Sequence, residues 1–249
     1  MDKADWTNPS DSEKWFQTTQ WSQIRLLHKH DESLYNSLLE SLLKRYWSPV
    51  FWYICKKGYE RELAKDLTQD FFHEIVLGHQ LFDNADQSKG RLRNFLLVAL
   101  ERYLASFERK KSAKKRHPGN PIISLEDVNL PEPATEDNPE QAYCRAWAAE
   151  LLDRTIAELC EICHRSGKIQ EWSVFHDRFL DPIFNDREQP SFIEICRLYS
   201  IENETKASNM LTTVKRRFRS ILRKHLRESV GSDDKVDAEL MELLRIFSS

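Results

Sequence analysis

Glycine is scarce in this chain, which has six glycines among 249 residues. A β-sandwich or β-barrel needs many tight turns, where glycine adopts a positive φ at little cost. A phosphate-binding loop likewise needs several glycines close together. The shortage of glycine therefore argues against a β-sandwich or β-barrel fold and against a phosphate-binding loop. Apolar runs such as "FLLVAL" at 95–100 are also far shorter than the roughly 20 residues that span a bilayer, so no membrane span is expected.

Cysteines number five, an odd count for a disulfide framework. The first residues, "MDKADWTNPSDSEKW", lack the apolar region of a signal peptide, so we expect reduced thiols in the cytoplasm. Cys160, Cys163 and His164 match the haem-attachment pattern C-x-x-C-H, but that chemistry requires export. A zinc site that adds Cys144 lacks a second close ligand pair. The sequence therefore predicts core cysteines and no metal or other cofactor.

Catalytic constellations are not evident in the sequence. The eight histidines are scattered, and neither a Ser/His/Asp arrangement nor a pair of carboxylates stands out. We therefore expect that the protein is not an enzyme.

Charge is unevenly distributed, although the net charge is only −3. Residues 89–116 and 206–227 are rich in lysine and arginine, whereas residues 126–140 contain acids and no lysine or arginine. Two basic segments separated by an acidic, proline-containing one indicate how the chain is organised and bear more on nucleic-acid binding than the net charge does.

Helical periodicity dominates the sequence, so an all-α fold is predicted. We expect a first helical domain at 1–117, an acidic flexible linker at 118–143, a second helical domain at 144–228 and an amphipathic tail at 229–249. One predicted helix carries Leu34, Leu38, Leu42 and Tyr46 on a stripe, and Pro49 should kink or break it.

The stretch "AKDLTQDFFHEI" at 64–75 predicts a helix with two opposed faces. The apolar stripe comprises Leu63, Leu67, Phe71 and Ile75. The polar stripe has no lysine or arginine and comprises Asp66, Gln69, Asp70 and His73. By default it is an ordinary solvated face, although the absence of lysine and arginine is less usual for such a face.

Residues 191–228 predict a helix, a short turn and a long helix. The inward stripe of the long helix comprises Ala207, Leu211, Val214, Phe218, Ile221 and Leu222. Its outward face comprises Ser208, Asn209, Thr212, Thr213 and Arg216. Short polar side chains that suit base edges, followed by arginines that suit phosphates, favour a DNA-binding helix-turn-helix over a hairpin with a basic surface.

The chain resembles sigma factors of the extracytoplasmic-function (ECF) group of bacterial RNA polymerase. Residues 42–72 and 82–116 resemble sigma region 2, including a G-R-[FL]-R-x-F-L-L signature at Gly90–Leu97. Residues 191–226 resemble the region 4 helix-turn-helix. The likeness extends from "TQWSQI" at 19–24 to "VDAELMELL" at 236–244.

This resemblance implies partners and site residues. The D-L-x-Q motif at Asp66 and Gln69 would bind the arginine-bearing coiled coil of the polymerase β′ subunit, and the β subunit would be a further contact. Promoter DNA would be opened and held at its −10 element by Lys89, Arg91, Arg93, Asn94, Arg102, Tyr103, Arg109 and Lys110. The −35 element would be bound by Lys206, Ser208, Asn209, Thr212, Thr213, Arg216, Arg217 and Arg219.

Some positions depart from the family pattern. The usual D-A-E-D is here Leu63, Ala64, Lys65 and Asp66, so we hypothesise that phosphorylation of Thr68 by a Ser/Thr kinase strengthens docking, in place of control by an anti-sigma factor. The turn of the helix-turn-helix lacks glycine, and Asn203 is expected to adopt the positive φ instead.

The tail is the remaining departure. Its apolar face comprises Leu240, Leu243, Leu244 and Phe247, and it would pack on the second domain or regulate it.

A promoter-recognition subunit is thus the leading hypothesis for this sequence. The alternatives are a helix-turn-helix regulator that binds DNA without polymerase, and a protein-binding decoy that sequesters a partner.

Overall fold

Every element that the computed structural model describes is helical, within residues 32–76, 91–114, 136–230 and 235–248, which confirms the all-α prediction for those ranges. No described helix is both long and apolar enough to cross a membrane. Single π-helical turns, Phe72–Val76 and His176–Leu180, continue two of the helices. The helices are α1 Glu32–Lys56, α2 Arg61–Phe71, α3 Leu92–Lys114, α4 Pro139–Arg165, α5 Ile169–Phe175, α6 Asp181–Phe184, α7 Phe192–Tyr199, α8 Glu204–Val230 and α9 Val236–Ser248.

The chain divides into two compact units. Among the described residues, the first unit comprises those up to Glu150 together with those from Leu226 onward, and the second comprises Leu151–His225. The C-terminal helix α9 thus belongs to the first unit, and not to the second as one of the two expectations for the tail had it. Residues 139–143, which the sequence analysis placed in the linker, already form the first turns of α4, and residues 115–135 lie outside the described ranges.

Pro49 lies inside α1 without breaking it. A proline removes one backbone hydrogen bond and costs about 3 kcal/mol in a helix interior. The side chains of Val50, Tyr53 and Ile54, which follow it, are completely buried, and that packing offsets the cost. Of the two expected effects of Pro49, a kink or a break, the break is therefore wrong. The predicted stripe is correct at Leu42 and Tyr46. The side chains of Leu34 and Leu38 lie outside the described set.

Helix α2 packs on the core of the first unit through Ala64, Leu67, Thr68 and Phe71. The predicted apolar stripe is thus correct at Leu67 and Phe71. Leu63 is only half-buried, and the side chain of Ile75 lies outside the described set. The ring of Phe71 meets that of Tyr103 on α3 edge-on, with centroids 5.7 Å apart. This contact fixes α2 against α3, which carry two of the predicted sites.

The second unit is built around one apolar cluster. Most of its buried members come from α4, α5, α7 and α8, and they include Leu159, Phe175, Ile195, Leu211 and Val214. Phe218, predicted as part of the inward stripe of α8, is partly buried against the same cluster, and Phe175 lies 5.8 Å from it between ring centroids. The inward stripe predicted for α8 is thus the face that holds α7 and α8 together.

Candidate protein and nucleic-acid interfaces

The polar face of α2 and the π-helical turn after it is open to solvent. Gln69, Asp70 and His73 are exposed, and Asp66 is half-buried. Lys65, the cation next to Asp66, lies with its Nζ 3.2 Å from Oε1 of Glu62, one turn earlier on the same helix. Its positive charge is therefore matched within the helix, and the face presents carboxylates and an amide.

Thr68 lies on the opposite, buried face of α2. Its side chain has no exposed surface, and its hydroxyl donates a hydrogen bond of 2.7 Å to the carbonyl oxygen of Ala64. The phosphorylation hypothesis requires an accessible threonine, and Thr68 is not accessible, because residues 64, 67, 68 and 71 share the face that packs on the core. A kinase cannot reach this hydroxyl in the folded helix, and we do not retain the phosphorylation hypothesis.

The beginning of α3 is held by the C-terminal helix. Nε of Arg91 lies 2.8 Å from Oε2 of Glu239, and Nε of Arg93 lies 3.2 Å from Oε1 of the same carboxylate. Glu239 is completely buried and Arg93 is 3 % exposed. Two of the predicted DNA contacts are therefore engaged by a carboxylate of the same chain, and Arg93 cannot contact DNA in this state.

Further contacts fix Arg93 from the side of α4. Its guanidinium lies 4.2 Å from the centroid of the Trp147 ring, a cation–π contact. The hydroxyl of Tyr143 donates a hydrogen bond of 3.0 Å to the carbonyl oxygen of Arg93. Burial raises the pKa of Glu239, while the charges of Arg93 and Arg91 lower it. Sequence reasoning missed Glu239, Tyr143 and Trp147, because each is far from Arg93 along the chain.

The rest of α3 carries the other residues predicted to bind the −10 element. Asn94, Arg102, Arg109 and Lys110 are exposed, and Nζ of Lys110 lies 3.8 Å from Oε1 of Glu74. Tyr103 is instead buried, being 8 % exposed, so its ring does not offer a face on which a base can stack, and the prediction for it is wrong in this state. Lys89 lies outside the described residues.

Helices α7 and α8 form the predicted pair in the second unit. A capping box begins α7, in which Ser191 Oγ accepts from the Glu194 backbone N–H and the Glu194 carboxylate accepts from that of Ser191. Ser200 ends α7 in the left-handed region, with φ 52°. The positive φ of the turn is therefore at Ser200, and the prediction for Asn203 is wrong. Asn203 instead caps α8, where its Oδ1 accepts a hydrogen bond of 2.8 Å from the Lys206 backbone N–H.

The first half of α8 presents the predicted DNA-binding side chains. Lys206, Asn209, Thr212, Arg216 and Arg219 are exposed, and Ser208, Thr213 and Arg217 are half-buried. A shallow groove of about 430 Å³ runs beside them, and Lys168 and Thr205 line it together with Asn209 and Thr213. Sequence reasoning missed Lys168, which adds a cation to this face from the turn before α5.

Arg217 and Lys215 turn away from this face. The Arg217 guanidinium lies near the thiol of the buried Cys163 and lowers the pKa of that thiol, against a larger increase from burial. Nζ of Lys215 lies 4.1 Å from the centroid of the Phe179 ring, and burial lowers its pKa. The prediction of a DNA contact at Arg217 therefore does not fit this structure, in which Arg216 and Arg219 are the exposed arginines of this turn.

The C-x-x-C-H stretch lies in the last turns of α4. Cys163 is buried in the core of the second unit, and Cys160 is partly exposed. Nδ1 of His164 lies 2.8 Å from the carbonyl oxygen of Cys160, one helical turn earlier. Among the residues that the structure describes, no three His, Cys, Asp or Glu side chains are grouped as metal ligands.

Two exposed faces of opposite chemistry thus emerge, one in each unit. The α2 face carries Asp66, Gln69, Asp70 and His73, and it suits a basic partner. The α8 face carries short polar side chains beside Lys206, Arg216 and Arg219, and it suits DNA. No protein-family model, curated protein or solved structure matches the chain.

Proposed function

We propose that this chain is an RNA polymerase sigma factor of the ECF type, a cytoplasmic protein that binds core polymerase and directs it to promoters. The observation that carries the proposal is the α2 face, where Gln69, Asp70 and His73 are exposed beside Asp66. A helix-turn-helix by itself would suit any DNA-binding regulator. A separate acid-and-amide face calls for a second partner, and the resemblance identifies that partner as the β′ coiled coil.

Charge complementarity supports docking at this face. The coiled coil of β′ presents arginines in the family that the chain resembles, and carboxylates opposite arginines form strong charge-assisted hydrogen bonds. The pairing of Lys65 with Glu62 removes the repulsion that an unpaired lysine would cause. The α2 face can therefore bind a basic helix without modification of Thr68.

The α8 face would read the −35 element in the major groove. Asn209 and Thr212 are exposed in its first turns and have side chains that hydrogen-bond base edges. Arg216 and Arg219 follow at the spacing of one helical turn and would hold phosphates. The −10 element would be bound along α3 through Asn94, Arg102, Arg109 and Lys110.

The second candidate is a helix-turn-helix regulator that acts without polymerase. The observation that favours it is the engagement of Arg91 and Arg93 by Glu239, which removes two contacts that promoter opening would use. Binding to core polymerase separates the two functions.

The test is the affinity of the purified full-length chain for core polymerase. We expect a stable complex that Asp66→Arg and Asp70→Arg each weaken at least tenfold, because each places a like charge opposite the arginines of β′. Glu161→Arg is the matched control, since Glu161 is an exposed acid of the second unit that lies outside the α2 face. Unchanged affinity in the α2 variants, or absence of a complex, would overturn the proposal.

A further inference from the structure

We propose that α9 is an autoinhibitory element that covers a surface for single-stranded DNA at the beginning of α3, with the carboxylate of Glu239 in the position that a DNA phosphate would take. The inference rests on the proposed function for the identity of the DNA, the opened promoter strand. The contact itself is given by Arg91, Arg93 and Glu239, all of which belong to the first unit.

The chemistry of the contact matches phosphate binding. Two guanidinium groups converge on one carboxylate, with nitrogen-to-oxygen distances of 2.8 Å and 3.2 Å. Arginine forks bind carboxylates and phosphates with the same geometry. Glu242 of the same helix is a further negative charge near Glu239, so displacement of α9 removes both acids and leaves the two arginines to attract an anion.

The contact is imperfect, which suits reversible release. Nη2 of Arg93 lies 3.4 Å from Oε2 of Glu239, a long hydrogen bond, and the Nε–Oε1 pair lies within ion-pair distance without hydrogen-bond alignment. Nη1 of Arg93 is buried without a hydrogen-bond acceptor among the described residues. A buried ion pair compensates the loss of hydration only when its geometry is good and its remaining polar atoms are satisfied. A strand that offers phosphate oxygens can therefore compete with Glu239.

Helix α9 is attached by one narrow face. Val236, Glu239 and Leu243 are buried, whereas Met241 and Leu244 on the other side of the helix are 64 % and 55 % exposed. The carboxylate thus lies in the middle of the attached face, between two apolar anchors. A change at Glu239 alone is expected to weaken the attachment of the whole helix.

The experiment measures binding of the full-length chain to a fluorescein-labelled single-stranded oligonucleotide of about 20 nucleotides. We expect Glu239→Gln to raise the affinity about tenfold at low salt. Two further phosphate contacts should steepen the slope of log K against log salt by about 1.4, since each contributes about 0.7 on a single strand. Glu161→Gln is the matched control, because it removes one negative charge from an exposed ion pair of the second unit. The affinity of this variant should stay that of the wild type.

Two further measurements complement this variant, and the second of them uses the wild-type chain alone. Adding Arg91→Gln and Arg93→Gln to the Glu239→Gln chain should abolish the gain in affinity. In the wild-type chain, the same oligonucleotide should accelerate amide hydrogen exchange in residues 236–248, because ligands that compete must weaken each other reciprocally. The inference would be overturned if the Glu239→Gln and wild-type chains bound DNA with equal affinity, or if neither bound DNA. It would also be overturned if DNA binding left amide exchange in α9 unchanged.

Failure of the proposed function is distinguishable from failure of this inference. Docking on core polymerase uses α2, so Glu239→Gln should bind core polymerase as the wild type does. If DNA binding increases in Glu239→Gln while core binding is absent, α9 still covers a DNA surface, and the proposed function is the part that fails.

Discussion

Nζ of Lys65 lies 3.2 Å from Oε1 of Glu62, so the cation that interrupts the acidic face of α2 is paired within its own helix. Lys65 is also half-buried, with 23 % of its side chain exposed. The carboxylate of Glu62 therefore partly neutralises the positive charge of Lys65. The carboxylates of Asp66 and Asp70 remain the dominant charges of the face. The pair keeps the α2 face acidic, as the proposed docking requires, although the chain lacks the D-A-E-D cluster of the family that it resembles.

This pairing predicts opposite effects of two substitutions on docking. Glu62→Gln should weaken binding to core polymerase and Lys65→Gln should strengthen it, each by up to about fivefold, since exposed pairs of this kind contribute about 0.2 to 1 kcal/mol. Titration of labelled core polymerase measures both affinities. Glu40→Gln is the control, because Glu40 forms an equivalent exposed pair with Lys44 on α1. Changes of the same sign in both α2 variants would contradict the assignment.

Thr68 predicts a contrast in stability. Thr68→Ala removes a buried methyl group and a hydroxyl that is bonded to the Ala64 carbonyl, so the free energy of unfolding should fall by about 1 kcal/mol. Thr68→Glu forces a carboxylate into the same site and should cost more than about 3 kcal/mol. Urea denaturation measures both changes. A Thr68→Glu chain as stable as Thr68→Ala would show that this side chain can reach solvent.

The arginines of α8 predict a difference in salt dependence. Arg216→Gln and Arg219→Gln should each reduce the slope of log K against log salt for duplex DNA by about 0.9, because each removes one phosphate contact. Arg217→Gln is the internal control, since its guanidinium is directed to Cys163, and it should leave the slope unchanged. Equal slopes for all three variants would mean that the DNA-binding face of α8 does not lie at Arg216 and Arg219.

Base reading is tested at the same helix by Asn209→Ala and Thr212→Ala. Each should lower binding to the preferred −35 sequence by about 1 to 3 kcal/mol and leave binding to random DNA nearly unchanged. Competition between specific and random duplexes measures this. An equal loss of affinity for both duplexes would mean that these two residues contact the DNA backbone and not the bases.

The pair between α3 and α9 predicts a pH-dependent stability. Arg93→Met leaves the buried carboxylate of Glu239 with Arg91 as its remaining arginine, and it should lower the free energy of unfolding at pH 7 by about 3 kcal/mol. Burial already raises the pKa of Glu239 above its ordinary value of 4.5, and loss of Arg93 raises it further. The folded state then holds a proton that the unfolded state has lost, so stability falls as pH rises above about 4.5.

The deficit of Arg93→Met should therefore shrink when the pH is lowered toward 4.5. Denaturant unfolding of both chains at several pH values measures it. The double variant Arg93→Met, Glu239→Met is the control, because it buries no unpaired carboxylate, and it should recover much of the loss. A deficit that is independent of pH would mean that Glu239 is not the group left unpaired.

Local periodicity was sufficient to predict the helices and the inward stripe of α8. It did not settle which side of the α2 stripe is buried, because Ala64 and Thr68 border the same apolar stripe as Leu67 and Phe71. The sequence does contain a signal for the start of α4, which the sequence analysis missed. Asn138 and Gln141 exchange backbone-to-side-chain hydrogen bonds of 2.8 Å and 2.9 Å, a capping box just before Pro139.

The contact between Arg93 and Glu239 had no local signal at all. The two residues are separated by 146 positions, and each is an ordinary charged residue of an amphipathic helix. Only the packing of α9 in the first unit brings them together. The turn between α7 and α8 was ambiguous for a different reason, since asparagine suits both a left-handed turn and a helix N-cap, and Asn203 takes the second role.

The most direct test of the central claim is transcription in vitro with purified core polymerase and a pool of genomic fragments from the source organism. A sigma factor predicts transcripts that depend on the chain and begin at discrete positions, each preceded by shared −10 and −35 sequences. Asp66→Arg should abolish these transcripts, whereas Asn209→Ala should alter the set of promoters. The same transcripts with and without the chain, at equal yield, would contradict the account.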